Sequence, residues 1–306
     1  MKNGDIHSEE WINEDRDYWW NEDYIELLLQ RLNLKNISAL ADIGCGKGYM
    51  SYKFLPHLDN ITHIYGRDIE KAHIEDAINK SKIFTDVNFD FKVGNAQNID
   101  ITDECVDLSV CQTLLLHLEN PQKTVMEMKR ITKTGGTVIA IETNNSINSL
   151  IRNNIVGEND ITSNIDDIDK TLKQLEYDLI IQKGIYNLKE GYLSIGDSVP
   201  KLFYEAGLKD ITVSILDKAC SLIPPYDTKE KKIRANELLT MIDNSLSEYD
   251  YTQMLKYYLA GGGQKENFDE IWNFQKTETQ KIKKAILDEK YIMPGGALMY
   301  IVTGKK

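Results

Sequence analysis

Between residues 38 and 218, short apolar runs alternate with segments whose apolar positions recur every three or four residues, the pattern of strands alternating with helices. Strands are predicted at 39–43, 61–65, 89–93, 106–111, 137–141 and 211–216, and the chain closes on a seventh, IVTGKK, led in by residues 297–300. Apolar runs of this kind, joined by helices, fit a doubly wound α/β domain whose sheet is mostly parallel and covered on both faces. The helix between the fourth and fifth strands has clear limits. Asn120 is placed to cap it, Pro121 suits its first turn, and Gly135-Gly136 marks the approach to the next strand.

Two stretches exceed a minimal domain of this kind. Residues 144–195 are polar and Asn-rich, with one helix-period segment (Ile168, Leu172, Leu175, Leu179), and residues 219–296 open with Pro224-Pro225 and read as three helices. Both are too long to be loops, and both are expected to form a helical cap on the side of the sheet that carries the ligand. An alternative use of such helices is a homodimer interface. Residues 1–37 form an N-terminal lid and helix, and 38–143, 196–218 and 297–306 form the sheet-bearing core. Gly261-Gly262-Gly263 reads as a helix end and turn within the second insertion. Ile223-Pro224-Pro225-Tyr226 reads as a loop leading into it.

Charge narrows the choice of partner. The 48 acidic and 36 basic residues leave a formal charge of −12, which repels a phosphate backbone, so nucleic acid is not expected as a substrate. No run of about 18 apolar residues occurs, and the N-terminus carries acids and indoles where a signal peptide needs an apolar stretch. A cytoplasmic protein without a membrane partner is expected. The four cysteines, Cys45, Cys105, Cys111 and Cys220, make no CxxC pair and no zinc-ligand spacing, so neither disulfides nor a metal are expected.

The segment ADIGCGKGYM sits where the first strand should turn into the first helix of the sheet, and Gly44, Gly46 and Gly48 read G-x-G-x-G. A dinucleotide fold would instead want G-x-G-x-x-G, and position 49 is Tyr. About twenty residues on, the second strand runs into Gly66-Arg67-Asp68-Ile69, which puts a carboxylate where a ribose would lie. Asp68 can accept from two vicinal hydroxyls. The third strand ends in Gly94-Asn95-Ala96, offering an amide able to accept from an exocyclic amine, and the fourth ends in Cys111-Gln112 beneath the reacting end of a ligand. Open α/β sheets bind ligands at the carboxyl ends of their strands.

At these residues the chain resembles the class I S-adenosylmethionine-dependent methyltransferases. The matching segments are LADIGCGKGYM, IYGRDIEKA, FKVGNAQNIDITDECVDLSVCQTLLLHLENP and MKRITKTGGTVIAIE. The resemblance implies a Rossmann-like seven-stranded sheet, with Asp42, Gly44, Cys45, Gly46 and Gly48 around the methionine moiety and Asp68 on the ribose. It further implies Ile69 against the adenine, Asn95 and Ala96 at its edge, and Cys111 and Gln112 near the sulfonium. Asn95 replaces the family's more frequent Asp, and Thr134 stands where Pro is common. The ends of the chain are similar to a bacterial small-molecule methyltransferase subgroup, through Asp15-Arg16, Trp19-Trp20, IETNN, SIGDSVP, EAGLKDI, PPY and YYLAGGG.

The activity implied is methyl transfer from S-adenosylmethionine to a small-molecule acceptor, leaving S-adenosylhomocysteine. The alternative is a non-catalytic S-adenosylmethionine-binding or scaffold protein, and a nicotinamide-dependent oxidoreductase ranks below both because of the glycine spacing. His117 is a candidate general base, with capping or packing as its other reading. Glu142, leaving the fifth strand, is a candidate base or orienting group, against the reading of a paired strand-end carboxylate. Trp20, with Tyr18 and Trp19, is a candidate lid residue whose ring face would meet a sulfonium, against the reading of a staple for the helix that follows. Cys45 is expected to react with bulky thiol reagents and to be protected by cofactor.

Overall fold

The structure, a computed structural model, describes residues 14–153, 168–244 and 248–306. Parts of the expected lid (1–13) and of the two insertions (154–167 and 245–247) lie outside the described residues. The chain divides into two compact units.

The first unit comprises Trp20–Asn144, Ser194–Asp217 and Met299–Lys306. It holds a seven-stranded sheet: β1 (Ala39–Ile43), β2 (His63–Asp68), β3 (Asn88–Val93), β4 (Val106–Gln112), β5 (Thr132–Thr143), β6 (Lys209–Ile215) and β7 (Met299–Lys305). Their spatial order is β3-β2-β1-β4-β5-β7-β6. The first five strands pair in parallel, and β7 runs antiparallel to both β5 and β6. Every residue of β1 is buried, as befits a central strand covered on both faces, whereas most of the edge strand β6 is exposed. Helices α1 (Glu22–Arg31), α2 (Tyr49–Phe54), α3 (Lys71–Ser81) and α4 (Pro121–Ile131) belong to this unit. Asn120 caps α4 by accepting from Lys123 N at 3.2 Å, with Pro121 in the first turn.

β2 and β5 differ most in extent from the expectation. β2 lies two to three residues later than 61–65 because Thr62 and His63 N both reach back to Ser38 O, so pairing with β1 starts only at His63. β5 starts at Thr132 rather than 137, since Thr132 pairs with Val106 ahead of a register shift that absorbs Gly135 at φ +81°.

The second unit is Met1–Trp19, Asn145–Leu193 and Lys218–Leu298. The expected N-terminal piece 1–37 is thus divided: the chain changes unit between Trp19 and Trp20. Asp15 accounts for this, because its two carboxylate oxygens take Arg234 Nε at 3.0 Å and Trp19 Nε1 at 3.2 Å, tying the first turn to this unit. Its helices are α5 (Asn145–Asn153), α6 (Ile168–Asn187), α8 (Lys229–Asn244), α9 (Glu248–Ala260) and α10 (Lys265–Leu287); α7 (Val199–Glu205) belongs to the sheet unit. Tyr177, Ile181, Ile185, Tyr257, Tyr258, Phe268 and Trp272 make the core of the helical unit. Gly184 and Gly261 lie where α6 meets α9, and a Cβ on either would collide with a main-chain carbonyl of the other helix, Tyr257 O and Ile180 O respectively.

Among the described residues no helix is long and apolar enough to cross a membrane, and no group of three or more His, Cys, Asp or Glu is arranged to hold a metal ion.

Candidate cofactor site of the sheet unit

The strand order reverses between β1 and β4, where the connections leave in opposite directions and open a crevice beyond the carboxyl ends. β1 enters it through the glycine loop. Gly44, Gly46 and Gly48 have φ of +68°, +51° and +78°, a left-handed run that side chains disfavour and glycine adopts freely. The Gly44 and Cys45 amides donate to Arg67 O at 2.7 and 3.1 Å, and the Gly48 amide closes the turn on Cys45 O at 2.9 Å. Asp42 lies just beneath and is 1% exposed. Its Oδ2 accepts from Ser51 N and Oγ, each at 2.9 Å, so it fastens α2 to the loop.

Asp68 ends β2. Its Oδ2 accepts the Gly46 amide at 2.8 Å and its Oδ1 the Glu70 amide at 2.9 Å, with His73 Nδ1 3.9 Å from Oδ1. Burial alone would raise this carboxyl, but the His73 ring and the two amides outweigh it and hold it below its ordinary value. Ile69, next in sequence, is 71% exposed. An apolar side chain left so open beside an anchored carboxylate is a ready surface for a flat aromatic ring.

The third strand end is set by Arg67, for which no role is apparent in the sequence. Its guanidinium is 1% exposed and donates to Asp90 Oδ2 at 2.9 Å, to Asp90 O at 2.6 Å, to Gly66 O at 2.8 Å and to Asp100. The Arg67 stem also packs under Gly94. Asn95 Oδ1 accepts the Gln97 amide at 2.8 Å and Asn95 O the Asn98 amide at 2.9 Å. The expected adenine acceptor is therefore already the pivot of an Asx turn, and Asn95 and Ala96 present the turn itself.

At β4, Cys111 and Gln112 are 0% and 3% exposed, so both side chains face the interior and only the backbone runs along the crevice. Thr113 follows with φ +50°, unusual for a β-branched residue, held by its amide on Ile141 O at 2.9 Å. Leu114 then leans on the glycine loop: a Cβ on Gly44 would lie 2.7 Å from the Leu114 side chain. Neither residue carried a sequence signal beyond its place after the strand.

Glu142 is fully buried, and its Oε1 accepts the amides of Leu114 and Leu115 at 2.9 and 2.7 Å. It holds the 3-10 turn Leu115–His117, which carries His117. These two main-chain donors occupy Oε1 and make Glu142 the anchor of this turn. Trp20 is 2% exposed, stacked on Tyr24 at 6.2 Å and edge-on to Phe54 at 6.5 Å, which is the staple arrangement. Cys45 is 3% exposed and burial pushes its thiol up, which argues against the expected reactivity. Cys111 is shifted the same way, also by burial.

The methyltransferase-domain family matches residues 34–207, more than half of the chain. An uncharacterized methyltransferase of Schizosaccharomyces pombe is 27% identical over 117 residues, covering 36% of this chain and 41% of the relative. The demethylmenaquinone methyltransferase of a Geobacillus species is 26% identical over 124 residues, covering 40% of this chain and 51% of the relative. The matched region thus spans about half or less of these curated relatives. A solved [4+2]-cyclase, SpnF, shares the fold with a TM-score of 0.50 at 14% identity, covering 93% of this chain and 80% of that one. The glycine loop, the carboxylate ending β2 and the family match coincide within one unit, and the chain belongs to the class I S-adenosylmethionine-dependent methyltransferases.

Proposed function

We propose that the protein transfers a methyl group from S-adenosylmethionine to a small-molecule acceptor. The observation that carries this reading is the Asp68 carboxylate bound to the Gly46 amide beside an exposed Ile69, at the point where the strand order reverses. The residues fit the ligand. A carboxylate offers about four lone-pair sites, and the two amides on Asp68 leave the remainder for a ribose diol. Ile69 would cover the adenine, the Asn95-Ala96 turn would bound its edge, and the backbone of Gly44 to Gly48 would face the methionine portion.

When bound, S-adenosylmethionine supplies a methyl group already activated on a sulfonium. The chain's own work is then to position and to exclude water. Glu142 fixes the turn after β4 by its two amide contacts, and His117 is the last residue of that turn. His117 takes a proton only where the acceptor arrives protonated. A net charge of −12 supports a small acceptor over a polyanionic one.

The [4+2]-cyclase shows that this fold by itself does not fix the reaction. Calorimetry with S-adenosylmethionine and S-adenosylhomocysteine, followed by an assay for S-adenosylhomocysteine release across a metabolite panel, separates the possibilities. Binding with release supports the proposal. Binding without release on any acceptor favours the non-catalytic alternative, and no binding removes both.

A further inference from the structure

His73 occupies an inward position in the first turn of α3 and is 5% exposed. A buried site of this kind suits an aliphatic side chain, and Ile74 and Ala77 fill the neighbouring inward positions. Its Nδ1 has no hydrogen-bond partner among the described residues, although Asp68 Oδ1 stands only 3.9 Å away. That gap is roughly 1 Å beyond a hydrogen bond. Because an ionised carboxylate only accepts, an imidazole nitrogen that bonds to it has to be the donor.

Asp68 is held on its other sides by main-chain amides, Gly46 N on Oδ2 and Glu70 N on Oδ1, and both come from loops at the carboxyl ends of β1 and β2. A ligand diol pulling on this carboxylate meets two short hydrogen bonds from the amides and only the longer 3.9 Å contact from His73. The side-chain donor behind Oδ1 is therefore the adjustable contact.

We propose that His73 is a positioning residue for the diol-bearing ligand, closing its Nδ1–H onto Asp68 Oδ1 when a vicinal diol engages the carboxylate. The proposal rests on the cofactor reading above and assigns this chain a contact that neither the family match nor the glycine loop specifies. Closure sets the orientation of Asp68 and leaves the methyl-transfer step untouched, so its effect falls on affinity.

The test combines calorimetry, steady-state kinetics and long-range ¹⁵N–¹H correlation of the imidazole rings, of which there are five. Saturating S-adenosylhomocysteine is expected to shift the His73 ring toward a hydrogen-bonded Nδ1–H signature. His73→Leu is expected to raise the S-adenosylhomocysteine Kd and the S-adenosylmethionine KM by about tenfold, one hydrogen bond to a charged group, with kcat within about twofold. His73→Asn, whose amide can reach the Nδ1 position, should recover most of the loss, which a packing role would not allow. If the wild-type protein binds S-adenosylhomocysteine and the His73 signals do not move, the inference is wrong, whether or not the leucine variant folds. If the leucine variant folds and binds like wild type, it is equally overturned. A wild-type protein that binds neither ligand overturns the cofactor reading itself, and this contact with it.

Discussion

Asp68 and Gly46, 22 residues apart, are joined by a 2.8 Å hydrogen bond from the glycine amide to the carboxylate that ends β2. The bond fixes the glycine loop against the neighbouring strand end, so two elements that must meet one ligand are already in register. It also gives the carboxylate a structural duty besides any ligand contact. The left-handed φ of Gly46 makes this possible, because it turns the amide toward β2.

Asp68→Ala is accordingly expected to act twice. Loss of a charged acceptor for two hydroxyls should weaken S-adenosylmethionine binding by about 2 kcal/mol, read by calorimetry. The second effect is on acid stability. The Asp68 carboxyl lies below its ordinary value of 3.8 in the folded chain, so its contribution is present above that value and is lost as pH falls through the lower folded one. Acid unfolding monitored by circular dichroism should therefore show a shallower dependence below about pH 4 in the alanine variant. An unchanged acid limb would mean that the carboxylate is not held as described.

Much of the sheet unit was legible because its strands are short apolar runs with glycine or a polar residue at the carboxyl end. The reading of 39–43 as β1 needed only this pattern, and it put Asp68 just beyond a second strand set at 61–65. What could not be read was long-range. Arg67 looks like any strand-end cation until Asp90 and Asp100 are seen to close around it. Nothing around Glu142 in the sequence announces the Leu114 and Leu115 amides that bind its Oε1. Asp15 explains the Asp-Arg…Trp-Trp segment only through Arg234, 219 positions away. Each of these depends on a partner distant in sequence, which hydrophobic periodicity does not encode.

Two glycines near the site should respond differently to a side chain. A Cβ on Gly66 would collide with the Phe91 ring, with no positive φ involved, so Gly66→Ala is expected to cost about 1–3 kcal/mol of stability by overpacking. Gly46→Val imposes a β-branched residue at φ +51° beside the ligand path and should abolish cofactor binding. Chemical denaturation and calorimetry on both variants check the split. Full cofactor binding by Gly46→Val would reduce the loop to a packing turn.

Glu142→Gln distinguishes a positioning group from a base. The amide can still accept from Leu114 N and Leu115 N, but without the charge that strengthens both bonds. A drop in kcat of about tenfold, of the size expected from weakening a charge-assisted pair, should appear equally at every pH. His117→Ala should instead change the shape of the kcat/KM profile on any acceptor that arrives protonated. If Glu142→Gln removes a limb of the profile and His117→Ala does not, the two roles are reversed.

The cysteines give a prediction that runs against the sequence expectation. Among the four thiols, Cys45 and Cys111 are 3% and 0% exposed, and burial raises both. Burial also brings Cys220 up to about 11. Because the thiolate is the reactive form, a buried thiol shifted upward reacts slowly at neutral pH on both steric and electrostatic grounds. Titration with a disulfide reagent such as Ellman's should therefore find Cys45 and Cys111 silent in the folded protein and all four thiols available in guanidinium. Saturating S-adenosylhomocysteine should leave the Cys45 rate unchanged, since the protein interior already shields it. Rapid labelling of Cys45 that the ligand suppresses would instead mean that the glycine loop opens in solution, exposing the segment between Gly44 and Gly46 that the Arg67 carbonyl and the Asp68 carboxylate hold closed here.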